Sequence, residues 1–198
     1  MPFDLVLALF AFAAVSSVTP GPNNIMLMTS GVNFGFRRTI PHMLGIELGF
    51  GILLLAVGLG LGALIHTVPG LQLAMKLASA AYLLWLAWKI AFSKASGEPE
   101  AGVDKPITFL QAAMFQWVNP KAWAMALVAM GAYASADAPL LSILVITIAF
   151  LIVGIPTATI WTGFGIGLRQ FLADPKRLRI FNLAMGLALV ATLWPLLR

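Results

Sequence analysis

The chain has no cysteine in 198 residues, and only 10% of it is charged. Without cysteine there is no disulfide, iron–sulfur centre, thiol relay or thiolate metal site. Two histidines, His42 and His66, are too few for a histidine-rich metal carrier. Soluble domains carry about a quarter charged residues. The shortage of charge, with 61% hydrophobic residues, therefore indicates an integral membrane protein with no room for a second, aqueous domain. The opening MPFDLVLALF holds Asp4 and no Lys or Arg. It lacks the basic start of a cleaved signal peptide and reads as mature sequence. No strand alternation or low-complexity tract appears. No serine–histidine–acid set, acid pair or metal-ligand cluster is visible either, so the reading is of a non-enzyme with no cofactor and no metal.

The net charge of +5 would suggest nucleic acid in a soluble protein. Here the basic residues sit in short loops, where they set topology instead, and no nucleic-acid partner is expected. Six apolar spans are read at 4–33, 39–65, 70–92, 107–133, 139–167 and 178–196, each near the roughly 20 residues a membrane requires. The one long polar linker, 94–106, separates halves 1–93 and 107–198 of a single transmembrane domain. Nine of the twelve Lys and Arg lie in alternate loops: Arg37, Arg38, Lys89, Lys94, Lys105, Arg169, Lys176, Arg177 and Arg179. The positive-inside rule puts these loops in the cytoplasm and both termini outside. Trp85, Trp88 and Trp194 suit an interfacial aromatic belt. An odd number of spans per half makes the two halves enter the membrane from opposite sides. The predicted fold is thus all-α, six transmembrane helices as two inverted three-helix repeats, an architecture that transporters use.

Thr19, Pro20, Gly21, Pro22, Asn23 and Asn24 interrupt the first span. The midpoint of that span, between Asp4 and Arg37, falls at Pro20, near the bilayer centre. The fourth span, between Lys105 and Asp137, is interrupted at its own midpoint by QWVNPKAW, which contains Asn119, Pro120 and Lys121. Proline removes a backbone donor and clashes with the preceding turn. In lipid the freed carbonyls need other partners, so such breaks occur where they are buried in protein or line a wet cavity. Two breaks at matched places in inverted halves point to a substrate site between them. Pro22 and Pro120 suit the first position of a new half-helix. Asn119 is a good N-cap for the second, and Thr19 or the Gly21 backbone for the first. Helix N-termini facing the midplane favour an anion such as a carboxylate. Lys121 adds a full charge there, at an insertion cost of about 2.5–3.5 kcal/mol, which favours a functional role.

Glu47 is the one acid inside a span. It lies nine residues past Arg38, roughly 13 Å deep, and is suited to bind a substrate ammonium or carry a coupling proton; the bland alternative is a purely structural pairing with Lys121 or with backbone. Gly45 and Gly49 flank it and allow close helix approach. Gly58, Gly60 and Gly62 read as packing, Lys76 as a snorkelling lysine, His42 as an interfacial histidine, and Pro156 as a simple kink.

The stretch TPGPNNIMLMTSGVNFGFRR, with PHMLGIELGFG after it and NPKAW in the second half, resembles the LysE/RhtB family of amino-acid exporters over most of the chain. The resemblance implies a multi-pass protein of the bacterial inner membrane that exports amino acids or their derivatives by proton antiport. It places the family signature on Thr19, Pro20, Gly21, Pro22, Asn23, Asn24, Asn119, Pro120 and Lys121. One Glu against one Lys favours a zwitterionic substrate over a dibasic one such as lysine, and the resemblance implies a small neutral amino acid, homoserine- or threonine-like. The expected partners are that amino acid, protons, the lipid bilayer and a second copy in a homodimer. The alternative is a passive channel or an assembly scaffold without coupled transport.

Overall fold

The computed structural model describes residues 2–68, 70–92 and 105–194. Most of the polar linker, with Lys94, lies outside them, as does the side chain of His66. Every regular element among the described residues is helical. α1 spans Phe3–Val18, α2 Pro22–Ala56, α3 Gly62–Thr67, α4 Leu71–Ala91, α5 Phe109–Gln116, α6 Pro120–Tyr133, α7 Pro139–Leu168 and α8 Pro175–Ala191. A π-helical turn, Val57–Leu61, links α2 to α3. Three stretches are long and apolar enough to cross a membrane: Pro22–Leu61, Leu73–Ala91 and Pro139–Leu168; α1 is apolar but shorter.

As one rod, the stretch Pro22–Leu61, 40 residues, would run about 60 Å, twice the hydrocarbon core of a bilayer. It is not one rod. Gly35 sits at φ 75°, ψ 177° inside α2, a conformation that glycine adopts without a Cβ penalty. Ser30 and Thr39, nine residues apart, join their hydroxyls at 2.8 Å, whereas a straight helix would hold them roughly 13 Å apart. The chain therefore bends sharply at Gly35 and makes an outgoing limb, 22–34, and a return limb, 36–56. The linker NFGFRR is almost wholly helical and turns on this single residue. α7, by contrast, continues through Pro156.

Small residues decide how the limbs pack. A Cβ at Gly45 or Gly49 would collide with the backbone of Phe109 and Ala113 on α5. One at Gly31 would strike the Thr162 carbonyl on α7. The glycine run near the end of α2 divides by role: Gly58 and Gly62 are covered by Ile143 and Leu127, while Gly60, at φ 112°, faces open space and serves the turn. α4 packs on α8, with Gly186 against the Ala87 carbonyl.

The buried side chains form two main clusters, one around Leu9, Leu53, Ala126, Ile146 and Phe150, the other around Met26, Ile46, Leu86, Phe115 and Leu189. The outward faces stay apolar: Leu144, Ile148, Ile152 and Ile155 make an exposed stripe along α7. In lipid such a face is solvated. Trp85, Trp88 and Trp194 are exposed as well. His42 departs from its reading as an interfacial residue. It is fully buried, and neither ring nitrogen has a hydrogen-bond partner.

Candidate substrate cavity between two helix breaks

Both proline motifs interrupt a helix. α1 closes on Thr19 and α2 begins after Gly21, with Pro22 at its first position. α5 ends at Gln116 and α6 begins after Asn119, with Pro120 at its first position. The Asn119 side chain caps α6 by accepting from the Lys121 N–H at 3.1 Å. At the first break the cap is the extended Gly21 backbone, with no side-chain capping bond. Thr19 is not an N-cap. It closes α1, and its hydroxyl donates back to the Val15 carbonyl, because Pro20 and Gly21 separate it from the next helix.

The carbonyls freed at the end of α1 find two donors. The Asn24 amide donates to Ser17 at 2.8 Å and to Thr19 at 3.0 Å. The Lys121 ammonium, arriving from the other break, donates to the same Thr19 carbonyl. A second bridge joins the breaks as a reciprocal amide pair. Asn23 donates to Gln116 at 2.9 Å, and Gln116 donates back at 3.2 Å. Gln116 is fully buried and also donates to Ala112. Sequence reasoning passed over Gln116 as a site residue. Its position just ahead of the second break was the available signal.

Between the breaks lies a cavity of about 60 Å³, room for several waters. Gly21, Pro22, Asn23, Asn24, Glu47, Asn119 and Lys121 line it. Pro20 and Pro120 do not, and Thr19 contributes only the carbonyl that holds Lys121. Leu27, Ile46, Phe50, Met125 and Phe150 add apolar walls. Phe50 and Phe150 meet edge to face at 5.4 Å, and Phe12 extends the stack at 6.1 Å from Phe150.

One wall is rich in donors. The first turn of a helix leaves its N–H groups without internal acceptors. Among the described residues, the backbone N–H groups of Asn23, Asn24 and Ala122 find no protein acceptor at these two starts. Lys121 stands beside them, its side chain laid over Gly21, where an added Cβ would come within 2.9 Å of Lys121 Cδ. Glu47, from the return limb of α2, lines the same cavity. It is buried, and among the described residues it has no hydrogen bond or ion pair, so the structural pairing with Lys121 is not formed. Its carboxylate lies against Gly154 of α7, in the space that a Cβ there would occupy.

An all-helical chain with apolar outer faces and a polar cavity between two helix breaks belongs to the class of multi-pass membrane proteins built around an interior site. More particularly, the family described as LysE type translocator matches residues 14–192, and the chain belongs to that family, one of translocators rather than enzymes. It is similar to the cysteine/O-acetylserine efflux proteins of Escherichia coli K12, Escherichia coli O9:H4 strain HS and Shigella sonnei strain Ss046. Each is 37% identical over 119 residues, and the aligned region is 59% of this chain and 59% of each relative. No solved structure matches the chain.

Proposed function

We propose that the protein exports a small neutral amino acid across the bacterial inner membrane, through six spans arranged as two inverted repeats, with both termini outside. The observation that carries this reading is a single cavity lined by both a basic group, Lys121, and an acidic one, Glu47. A zwitterion has a carboxylate for Lys121 and the free N–H groups of Asn23, Asn24 and Ala122, and an ammonium for Glu47. A lone buried carboxylate is costly, and either a substrate ammonium or a proton removes that cost. Glu47 therefore binds the two in turn, which couples export to proton entry. A cavity with one cation and one anion disfavours dibasic and diacidic solutes.

The substrate class follows from cavity size and from the relatives. Cysteine, O-acetylserine, homoserine and threonine share a short, weakly polar side chain that suits apolar walls edged by Ser16, Ser17 and Thr157. A passive channel would need neither a basic nor an acidic wall, and a scaffold would need no cavity. The test is uptake of these four amino acids into inside-out vesicles under an imposed pH gradient. Accumulation driven by the gradient and lost in Lys121→Ala supports the reading. Flux that merely equilibrates, whatever the gradient, makes the protein a channel. In Glu47→Gln we expect binding to persist while export no longer follows imposed pH steps; an unchanged pH response moves the proton to another group.

A further inference from the structure

A second pocket opens along the outgoing limb of α2, below the first. Thr29, Ser30, Asn33 and Phe34 line it from that limb, Lys89 from the end of α4, and Lys105 from the segment leading into α5. Its volume is about 30 Å³. Lys89 donates to the Lys105 carbonyl at 3.3 Å, which draws the two lysine-bearing segments together. A third cation stands close by, for Arg38 lies 5.5 Å over the Phe34 ring. No acidic side chain lines the pocket among the described residues.

The floor is polar but already occupied. Thr29 donates to Ile25, Ser30 pairs with Thr39, and Asn33 donates to Thr29 and Asn182. These groups make the floor wettable without gripping a ligand. The attraction comes from the lysine rim. The pocket and the central cavity lie on successive turns of one half-helix, since Asn23, Asn24 and Leu27 face the cavity and Met26, Thr29, Ser30 and Asn33 face the pocket. Asn33 is ten residues from Asn23, a helical rise of about 15 Å. Met26 lines the pocket and Leu27 the cavity, and both are almost fully buried.

We propose that this pocket is an anion vestibule, a weak docking site for the carboxylate of a solute on its way to the central cavity. The inference rests on the transport reading for its purpose, but not for its test. Because the chain has no cysteine, Phe34→Cys gives one reactive thiol in the pocket wall. That thiol is probed, in inside-out vesicles of phosphatidylcholine, with an anionic and a cationic thiosulfonate of matched size, each rate normalised to a free thiol. The anionic reagent is expected to react at least about fivefold faster, since a close unit charge attracts one reagent and repels the other even in water. The preference should fall away in Lys89→Gln/Lys105→Gln and survive in Lys89→Arg/Lys105→Arg. Acetate should slow labelling, and acetamide should not. Equal rates, a faster cationic reagent, or a preference that ignores both lysines would overturn the proposal. Protection by added phosphatidylglycerol alone, with none by acetate, would assign the pocket to a lipid headgroup and overturn it equally. Failure of the transport assay would leave these labelling rates unchanged, so the two readings fail separately.

Discussion

Gly154 holds its place because Glu47 occupies the volume beside it. Adding one methyl group there drives it into the carboxylate, which must swing aside and leave the position it holds in the cavity. We expect Gly154→Ala to abolish coupled export while the protein still inserts. Glu47→Asp, one methylene shorter, should restore part of the activity in the Gly154→Ala background while impairing the wild type. Transport rates for the four variants form a double-mutant cycle, and additive losses would show that Gly154 serves only helix packing. Lys121 invites a second measurement. A charged hydrogen bond contributes about 1.5–3 kcal/mol, so Lys121→Met should lower transport efficiency roughly 10- to 100-fold, checked by kcat/KM in inside-out vesicles. Both residues were conspicuous in the sequence, as charges inside apolar spans. The seat of Glu47 on Gly154 was not, because nothing in a sequence pairs residues on distant helices.

At the scale of elements, the two breaks and the Gly35 bend define the architecture. Replacing Gly35 with Ala forces a Cβ onto φ 75°, ψ 177°, a region essentially confined to glycine, at a cost of about 1–3 kcal/mol. We expect a lower melting temperature in detergent, with the helical content of the folded protein unchanged. The Asn23–Gln116 pair makes a different demand. Truncating either member removes both bonds of the pair, about 0.5–1.5 kcal/mol net each, so Asn23→Ala and Gln116→Ala should each destabilise the protein more than half as much as the double variant does. Simple additivity in thermal unfolding would show that the amides act independently. The breaks were legible because proline advertises them and Asn119 is a strong cap. Thr19 misled because a threonine before Pro-Gly-Pro resembles a cap, and only the backbone reveals that it ends the preceding helix. The Gly35 bend was hidden inside NFGFRR, where the charges Arg37 and Arg38 drew the boundary and the helix ran on almost to meet them.

For the whole molecule, the proposed inverted repeat has a direct test. Reporter fusions at Gly97 and at Arg198 should mark opposite sides of the membrane; marks on one side would remove the odd-numbered half and the repeat with it. The bond between Lys121 and the Thr19 carbonyl also bears on the whole molecule. An entering carboxylate must share the ammonium with, or win it from, an acceptor that belongs to the protein, tethered at an effective concentration on the order of millimolar or more. Selection then becomes an exchange rather than the filling of a hole. A plain organic acid takes the lysine and leaves the carbonyl bereft. An amino acid arrives with an ammonium of its own, which answers Glu47 in the same cavity. On the proposed reading a simple acid is disfavoured twice, because it competes with the Thr19 carbonyl for the lysine and brings nothing to answer Glu47.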